Sequence, residues 1–327
     1  MKKKRLFLHI GTDKTGSTAI QNFLQNNESV LLSQGLKIIA AGRLNDHHGE
    51  LFNQLKQENE NLIYTLAEEI NNSQLSNFII SHEGLYHINE KIIIKLYKTL
   101  GNIEIIPILY LRRRSDKLAS GMAQRLKKPE CKDDIRLYND NYQVFYKQAG
   151  LNYKSIVQKW ENAINYQNPN ELMVKIYERS EFYKADITHD FLKTITNYLI
   201  NTQLDISTLR FEKNEVNKSI GPSAQYILSI LRSVDLEKEK INFAHKILNN
   251  HQSEKERRCT FIPDTFLDQF DKHFLDDDQW IAKRYLNKNI LFSEPRKFYY
   301  HKPTSDELHR LFKLLFKRTD SFKALSK

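Results

Sequence analysis

Apolar residues recur along the chain in two different periods. Five short apolar runs, each bounded by glycine or by polar residues, have the length and composition of buried strands. They span residues 6–10, 36–40, 78–80, 103–111 and 172–177. Between these runs, apolar residues recur every three or four positions, which is typical of helices that bury one face.

Helices predicted from this second period fall into two groups. Those of the first half alternate with strands, near residues 20–31, 51–55, 62–70, 92–100, 118–126 and 156–164. Those of the last third follow one another directly, at residues 226–234, 241–248, 266–275 and 308–316. The pattern favours an α/β fold, with a parallel sheet flanked by helices and a mainly helical C-terminal part. We expect one domain over residues 1–327, with a core at 1–200 and helical residues 201–327 packed on it.

The charge balance indicates an anionic partner. The 327 residues include 50 lysines and arginines against 40 acidic residues, which gives a formal net charge of +10. Such an excess favours a nucleotide, a polyanionic glycan, nucleic acid or an acidic membrane, and solvated helix faces account for about half of it. No recognised nucleic-acid motif accompanies the charge, so nucleic acid is not expected as a partner.

Targeting and redox signals favour a soluble, cytoplasmic protein. The basic start, residues 1–5, is followed by an apolar run too short for a signal peptide, and no segment has the length of a membrane span. The two cysteines, Cys131 and Cys259, fit neither a disulfide framework nor a metal-ligand spacing, so a reducing compartment is expected. The histidine pair at residues 47–48 lacks a third ligand at a recognisable spacing, and we expect no metal.

A glycine-bracketed turn joins the first strand to the first helix and predicts an anion site. Gly11 and Gly16 enclose a stretch rich in hydroxyl groups, and backbone N–H groups converge there at the positive end of the helix dipole. The loop of nucleotide hydrolases carries a lysine directly after its second glycine. Here Ser17 follows Gly16, and the lysine stands inside the loop, at Lys14. A cation there can neutralise charge on a leaving group without a metal; a generic phosphate turn is the alternative.

Two further polar motifs follow predicted strands. Ser81-His82-Glu83 comes after the third predicted strand, and Arg112 comes directly after the fourth. Because ligands of parallel sheets bind at the carboxyl ends of the strands, we expect these motifs and the Lys14 loop to share one crevice. A polar, aromatic segment at residues 129–150 is expected to form a loop with helical pieces over it.

Two motifs together resemble those of sulfotransferases that use 3′-phosphoadenosine-5′-phosphosulfate. The first is residues 14–18, Lys-Thr-Gly-Ser-Thr, after a strand; the second is Arg112 at a strand end, followed eight residues later by Ser120 in a helix. The resemblance covers residues 5–126. The opening, His-Ile-Gly-x-x-Lys-Thr-Gly-Ser-Thr, is similar to that of bacterial members, some of which modify glycans. A weaker resemblance at Asn217 and Ser219 marks residues that close over the cofactor, with an ordinary helix cap as the alternative.

The resemblance implies a fold, a co-substrate and a set of roles. The fold is that of the sulfotransferases, and the reaction moves a sulfuryl group to a hydroxyl, on a carbohydrate, and leaves 3′-phosphoadenosine-5′-phosphate. Lys14 would stabilise charge on the leaving nucleotide. Arg112 and Ser120 would bind its 3′-phosphate, because an arginine fork suits phosphate oxygens. No metal is implied. Ser17 and Thr18 would hold the 5′-phosphate, and Lys14, Thr15 and Gly16 would also contact the cofactor.

The base that takes the proton of the acceptor hydroxyl has two main candidates. Glu83 is expected beside the Lys14 strand, where burial would raise the pKa of a carboxyl group. His48 is the rival, because an unperturbed histidine titrates near neutral pH, and His82 is a weaker candidate. Structural roles are the alternatives: Glu83 could position Lys14 or cap the next helix, and His48 could be structural.

Two other functions fit parts of the pattern. A nucleotide-dependent phosphoryl-transfer enzyme with a degenerate loop, similar to a kinase, would depend on Mg2+ and ATP. The missing lysine after Gly16 argues against it. A non-enzymatic polyanion-binding protein would explain the net charge alone.

Overall fold

The computed structural model describes residues 3–125, 149–165, 172–212, 220–233 and 236–317. Cys131, Asn217 and Ser219 lie outside these ranges, as does nearly all of the segment expected to lie over the crevice. The chain divides into two compact units, each made of three segments. The first unit comprises Met1–Arg112, Asn152–Asn214 and Asp276–Glu294, and the second comprises Arg113–Leu151, Glu215–Leu275 and Pro295–Lys327.

A five-stranded parallel sheet forms the centre of the first unit, which confirms the predicted fold class. Its strands follow the order β2-β3-β1-β4-β5, so the strand that leads into the glycine-bracketed loop has a neighbour on either side. The apolar runs are nearly continuous because helices cover both faces of a parallel sheet. The strands are β1 (Lys4–Gly11), β2 (Leu36–Ile38), β3 (Asn77–Ser81), β4 (Ile103–Leu111) and β5 (Met173–Ile176).

Helices pack on the two faces of this sheet. The helices of the first unit are α1 (Ser17–Asn26), α2 (Glu28–Ser33), α3 (Gly49–Lys56), α4 (Asn61–Asn72), α5 (Glu90–Leu100), α7 (Tyr153–Asn165), α8 (Ile187–Thr196) and α13 (Leu275–Leu286, from Asp276 on). Alternate residues of β1 separate the two cores: Leu6 and Leu8 pack with α3, α4, α5, α7 and α13, whereas Phe7 packs with α1, α2 and α8. A helix from the C-terminal third of the chain, α13, therefore contributes to the core of the sheet.

Two of these helices were not predicted. Helix α8 buries Ile187, Phe191 and Ile195, which recur every four residues, yet no helix was predicted in this stretch. One helix was expected over residues 266–275, where the structure has α12 (Asp264–His273) followed, after Phe274, by α13.

The second unit is mainly helical. Its helices are α6 (Arg114–Arg125), α9 (Pro222–Ser233), α10 (Lys238–Asn250), α11 (Glu254–Arg257), α12 (Asp264–His273) and α14 (Ser305–Lys317). One apolar cluster joins α6 to α12, and another joins α9, α10 and α14. A two-residue strand, β6 (Cys259–Thr260), pairs in parallel with β7 (Tyr299–Tyr300). The mainly helical character of the C-terminal part is confirmed, and a single domain over the whole chain stays a prediction. In the ranges described, no helix is long and apolar enough to cross a membrane.

Candidate functional site

Two glycines in left-handed conformations bracket the loop between β1 and α1. Gly11 has φ +103°, and a Cβ there would lie 2.9 Å from the backbone Cα of Glu83. Gly16 has φ +77°, and a Cβ there would lie 3.0 Å from the ring of Tyr177. Both positions thus require glycine for conformation and for space. The close approach at Gly11 also places Glu83 directly beside the start of the loop.

Side chains and backbone groups of β4 hold this loop. The Thr12 amide and hydroxyl both donate to the carbonyl of Tyr110, at 3.0 and 3.2 Å. Nη1 of Arg112 donates to the carbonyl of Lys14 at 2.9 Å, and the Thr15 hydroxyl donates to the carbonyl of Thr12. Lys14 itself has φ 66°, a left-handed conformation that non-glycine residues seldom adopt. The loop is therefore fixed by bonds to the neighbouring strand.

The first turn of α1 offers hydrogen-bond donors. Its N-cap, Gly16, makes no side-chain cap, and the first N–H groups of a helix have no acceptor within it. Ser17 is 6% exposed, and its Oγ has no hydrogen-bond partner among the residues that the structure describes. A buried hydroxyl without a partner costs about 1–3 kcal/mol, which an anionic ligand would relieve. Thr18 is exposed at the same turn.

Arg112 follows β4 directly and is the last residue of the first of the three segments that form the first unit. Its guanidinium lies over the ring of Tyr177, 5.4 Å from the ring centroid, and its carbonyl accepts a 2.6 Å hydrogen bond from the Tyr153 hydroxyl. With its bond to Lys14, Arg112 links the ends of β4 and β1. Ser120 lies on α6 in the second unit, so its partnership with Arg112 at one phosphate stays a prediction.

Glu83 lies beside the loop, but its electrostatics differ from the expectation. Burial acts to raise the pKa of its carboxyl group. The hydrogen bond from Gln21 Nε2, 2.9 Å long, and the nearby His82 and His9 act in the opposite direction and prevail. The pKa of Glu83 is therefore lowered, and the expectation of a raised pKa was wrong. A carboxylate at this position is ionised at neutral pH and can only accept a proton.

His48 is enclosed by backbone groups. It is 1% exposed; Nε2 lies 2.8 Å from the carbonyl oxygen of Ile39, and the amide of Ser81 donates to Nδ1 at 3.2 Å. Both ring nitrogens are thus engaged between the ends of β2 and β3. Burial lowers the pKa of His48 to about 4, so the ring is neutral at physiological pH. This geometry suits a structural histidine that ties two strands together. His82 stacks on Phe52, with 4.7 Å between ring centroids.

Two hydrogen-bonded pairs at this edge were not predicted from the sequence. The Tyr86 hydroxyl donates to Oδ1 of Asp13 in the loop at 2.7 Å. His9, fully buried on β1, lies with Nδ1 2.8 Å from the Ser81 hydroxyl, and burial lowers its pKa to about 4. The sequence offered a signal for Asp13, because an acidic side chain in a loop that binds anions is electrostatically unfavourable unless it has another role. Tyr86 carried none, because an aromatic residue among apolar neighbours is usually core.

The two buried histidines predict an acid-sensitive fold. Their pKa of about 4 lies below the unfolded value of about 6.5, so only the unfolded chain takes up protons as the pH falls from 6.5 towards 4. Each histidine should therefore remove about 2 kcal/mol from the free energy of unfolding between pH 7 and pH 5. Urea unfolding at both pH values measures this loss. His48→Asn should be less stable at pH 7 and should lose the part of the pH dependence that His48 contributes, about 2 kcal/mol. His309→Asn, at an exposed site on α14, is the control.

The carboxyl ends of three adjacent strands, β3, β1 and β4, thus carry Glu83, the Lys14 loop and Arg112 at one edge of the first unit. Among the described residues no group of three potential metal ligands is present. This edge combines a loop that carries a lysine, hydrogen-bond donors at a helix start and an ionised carboxylate. The lysine and the donors suit an anionic ligand, and the carboxylate could accept a proton beside it. Comparison of the chain with protein-family models, with curated proteins and with solved structures gave no match.

Proposed function

We propose that this protein is a sulfotransferase that moves a sulfuryl group from 3′-phosphoadenosine-5′-phosphosulfate to a hydroxyl of a carbohydrate. One observation supports this proposal above the others: Lys14, in a left-handed conformation, accepts a hydrogen bond from Arg112 at its carbonyl, and the backbone of Glu83 lies against Gly11 at the start of the same loop. A lysine, an arginine and a carboxylate near one loop are the groups that the proposed transfer needs. It matches the sequence resemblance at residues 14–18 and at Arg112.

The residues present fit such a nucleotide. The unpartnered hydroxyl of Ser17 and the uncapped start of α1 suit the 5′-phosphate. Arg112 suits the 3′-phosphate because its guanidinium can present parallel donors to phosphate oxygens. When bound, the phosphosulfate supplies an activated sulfuryl group with a nucleotide as leaving group.

The chain's own groups then have separate tasks. The ionised carboxylate of Glu83 accepts the proton of the acceptor hydroxyl as that oxygen attacks. The Lys14 ammonium compensates the negative charge that develops on the leaving nucleotide. Gln21, which donates to Glu83, keeps the carboxylate oriented towards the loop. His48 holds β2 and β3 together and takes no proton.

Transfer of labelled sulfur tests the proposal. The protein is incubated with sulfur-35 phosphosulfate and a panel of neutral and acidic carbohydrates, and transfer is measured on the acceptor. Parallel reactions use γ-labelled ATP with Mg2+, and binding of a sulfated glycan is measured without donor. Transfer from ATP but not from phosphosulfate would favour the phosphoryl-transfer alternative, and glycan binding without any transfer would favour the polyanion-binding alternative.

Nucleotide binding gives a second prediction, centred on Arg112. Calorimetry should show that the wild-type protein prefers 3′-phosphoadenosine-5′-phosphate over adenosine 5′-monophosphate. Arg112→Ala should remove most of that preference, because hydrogen bonds to charged groups are worth roughly 1.5–3 kcal/mol, or roughly 10- to 150-fold in affinity. The ratio of the two dissociation constants is the quantity of interest, since it cancels any general loosening of the loop that Arg112 supports.

Arg284 on α13 offers a matched control for this measurement. It is half exposed, lies in the first unit and pairs with Glu161, so Arg284→Ala should leave the ratio unchanged. Arg112→Lys should retain charge but lose the planar fork, and an intermediate ratio is expected. Equal affinity of the wild-type protein for both nucleotides would contradict the proposed 3′-phosphate site.

A further inference from the structure

We infer that Tyr86 and Asp13 are positioning residues: the hydrogen bond between them fixes the loop so that Lys14 keeps its left-handed conformation and its direction. The inference rests on the proposed function for its effect on turnover. Its structural part concerns the loop alone and can be tested without the reaction.

Tyr86 is anchored at both of its ends. It lies in a single 3-10 turn, Leu85–His87, three residues after Glu83, and it is 3% exposed. Its carbonyl accepts a 2.7 Å hydrogen bond from Nζ of Lys159 on α7, and its hydroxyl donates to Asp13 at 2.7 Å. Its packing and these two hydrogen bonds fix the position of Tyr86, so its hydroxyl can hold Asp13 of the loop in place.

The chemistry of the pair suits a fixed donor and a fixed acceptor. Burial, together with the nearby Asp13 carboxylate, raises the pKa of Tyr86, so its hydroxyl stays protonated and donates. A hydrogen bond to a carboxylate is stronger than one between neutral groups. The charge of Asp13 opposes an anion bound at the same loop. A geometric role for its oxygen explains why an acidic residue stands beside Lys14.

Lys14 is held from both sides by this arrangement. The preceding residue, Asp13, is fixed by Tyr86, and the carbonyl of Lys14 is fixed by Arg112. Its φ of 66° is one that a lysine leaves readily when it is not constrained. Removing the Tyr86 hydroxyl should let the loop relax and should turn the ammonium away from its working position.

Four variants test this role by their kinetics. Tyr86→Phe and Asp13→Ala should each lower kcat about tenfold, and the double variant should lose far less than the product of the two effects, because both remove the same hydrogen bond. Asp13→Asn should stay close to wild type, since its amide oxygen still accepts from the Tyr86 hydroxyl. The dissociation constant of 3′-phosphoadenosine-5′-phosphate should change less than twofold in Tyr86→Phe. Tyr97→Phe is the matched control: this buried tyrosine on α5 has a hydroxyl without a hydrogen-bond partner in the described ranges.

A second readout does not depend on any activity. Acetic anhydride labels lysine amines, and mass spectrometry gives the rate at Lys14 relative to the exposed Lys184 of the same molecule. The ratio should rise about tenfold in Tyr86→Phe and in Asp13→Ala and stay unchanged in Asp13→Asn and Tyr97→Phe. A general loss of stability would also raise the labelling of other half-buried lysines, such as Lys37 and Lys175, whereas release of the loop raises that of Lys14 alone.

The outcomes separate this inference from the proposed function. An unchanged labelling ratio in Tyr86→Phe overturns the inference, whatever the turnover shows. If Asp13→Asn behaves like Asp13→Ala, the charge of Asp13 matters rather than its geometry, and the inference fails as well. A raised ratio in a protein that transfers no sulfuryl group supports the role of the pair and contradicts the sulfotransferase assignment alone.

Discussion

Replacing Lys14 by alanine is expected to lower turnover by about 100-fold or more while the protein stays folded. In the proposed reaction the leaving nucleotide gains negative charge as its bond to sulfur breaks, and an ordered cation in a partly buried loop would stabilise that charge without reorganisation. Loss of one such group typically costs two to three orders of magnitude in rate. Steady-state sulfuryl transfer at saturating donor, together with circular dichroism, measures both parts of the prediction.

Lys184 provides a matched control for this variant. It also has a positive φ, 55°, and is exposed, so Lys184→Ala removes a lysine from the same backbone conformation away from the loop. Lys184→Ala should retain full turnover. Lys14→Gly should lose as much turnover as Lys14→Ala yet be more stable than it, by about 1 kcal/mol, because glycine adopts the left-handed conformation without strain. Near-normal turnover in either Lys14 variant would remove the ammonium from the mechanism.

Glu83→Gln should lower turnover by about 100- to 10,000-fold and leave the affinity for 3′-phosphoadenosine-5′-phosphate within twofold of wild type. An amide of the same shape keeps the packing beside Gly11 but cannot accept the proton of the acceptor hydroxyl. Because the pKa of Glu83 is lowered, its carboxylate is ionised across the neutral range. The rate should therefore stay level with respect to this group across the neutral range and decline only at a pH below the ordinary titration range of a glutamate, where the carboxylate takes up a proton.

Glu104 is the control for this substitution. It stands at the opposite, amino end of β4 and pairs with Arg5, so Glu104→Gln removes a partly buried carboxylate far from the loop. It should change stability rather than turnover. His48→Asn should likewise lower stability and keep most of the turnover per folded molecule. Full turnover in Glu83→Gln, with none in a folded His48→Asn protein, would transfer the role of base to the histidine.

The sequence alone predicted the elements whose signals are local. The apolar run at 103–111 stands between Gly101 and Arg112, and the structure gives β4 the same bounds, Ile103–Leu111. The loop between Gly11 and Gly16 was also predictable from the sequence, because glycine is required where φ is positive and where another backbone approaches. Alternating strands and helices were sufficient to predict the parallel sheet.

Helix α8 shows where a local signal was present but not used. Its apolar residues recur with helical spacing, and its N-cap, Asp186, accepts hydrogen bonds from the first turn. Two short 3-10 turns, Arg179–Glu181 and Tyr183–Ala185, precede it and interrupt the pattern. Such irregular turns are stabilised by tertiary contacts, so their positions were not predictable from periodicity.

Only the tertiary structure determined the charge and the hydrogen-bond partners of the groups at the carboxyl ends of the strands. The pKa of Glu83 depends on Gln21, 62 positions away in the chain, and the two bonds of His48 end on Ile39 and Ser81, from different strands. Partners that are distant in sequence meet because parallel strands place their carboxyl ends together, and a single sequence does not record which side chains then touch. What the sequence by itself determined was therefore the fold class, the loop and the residue types around it. Which groups are charged, which are structural and which hold Lys14 followed from packing, because burial and hydrogen bonding set the energies of those groups.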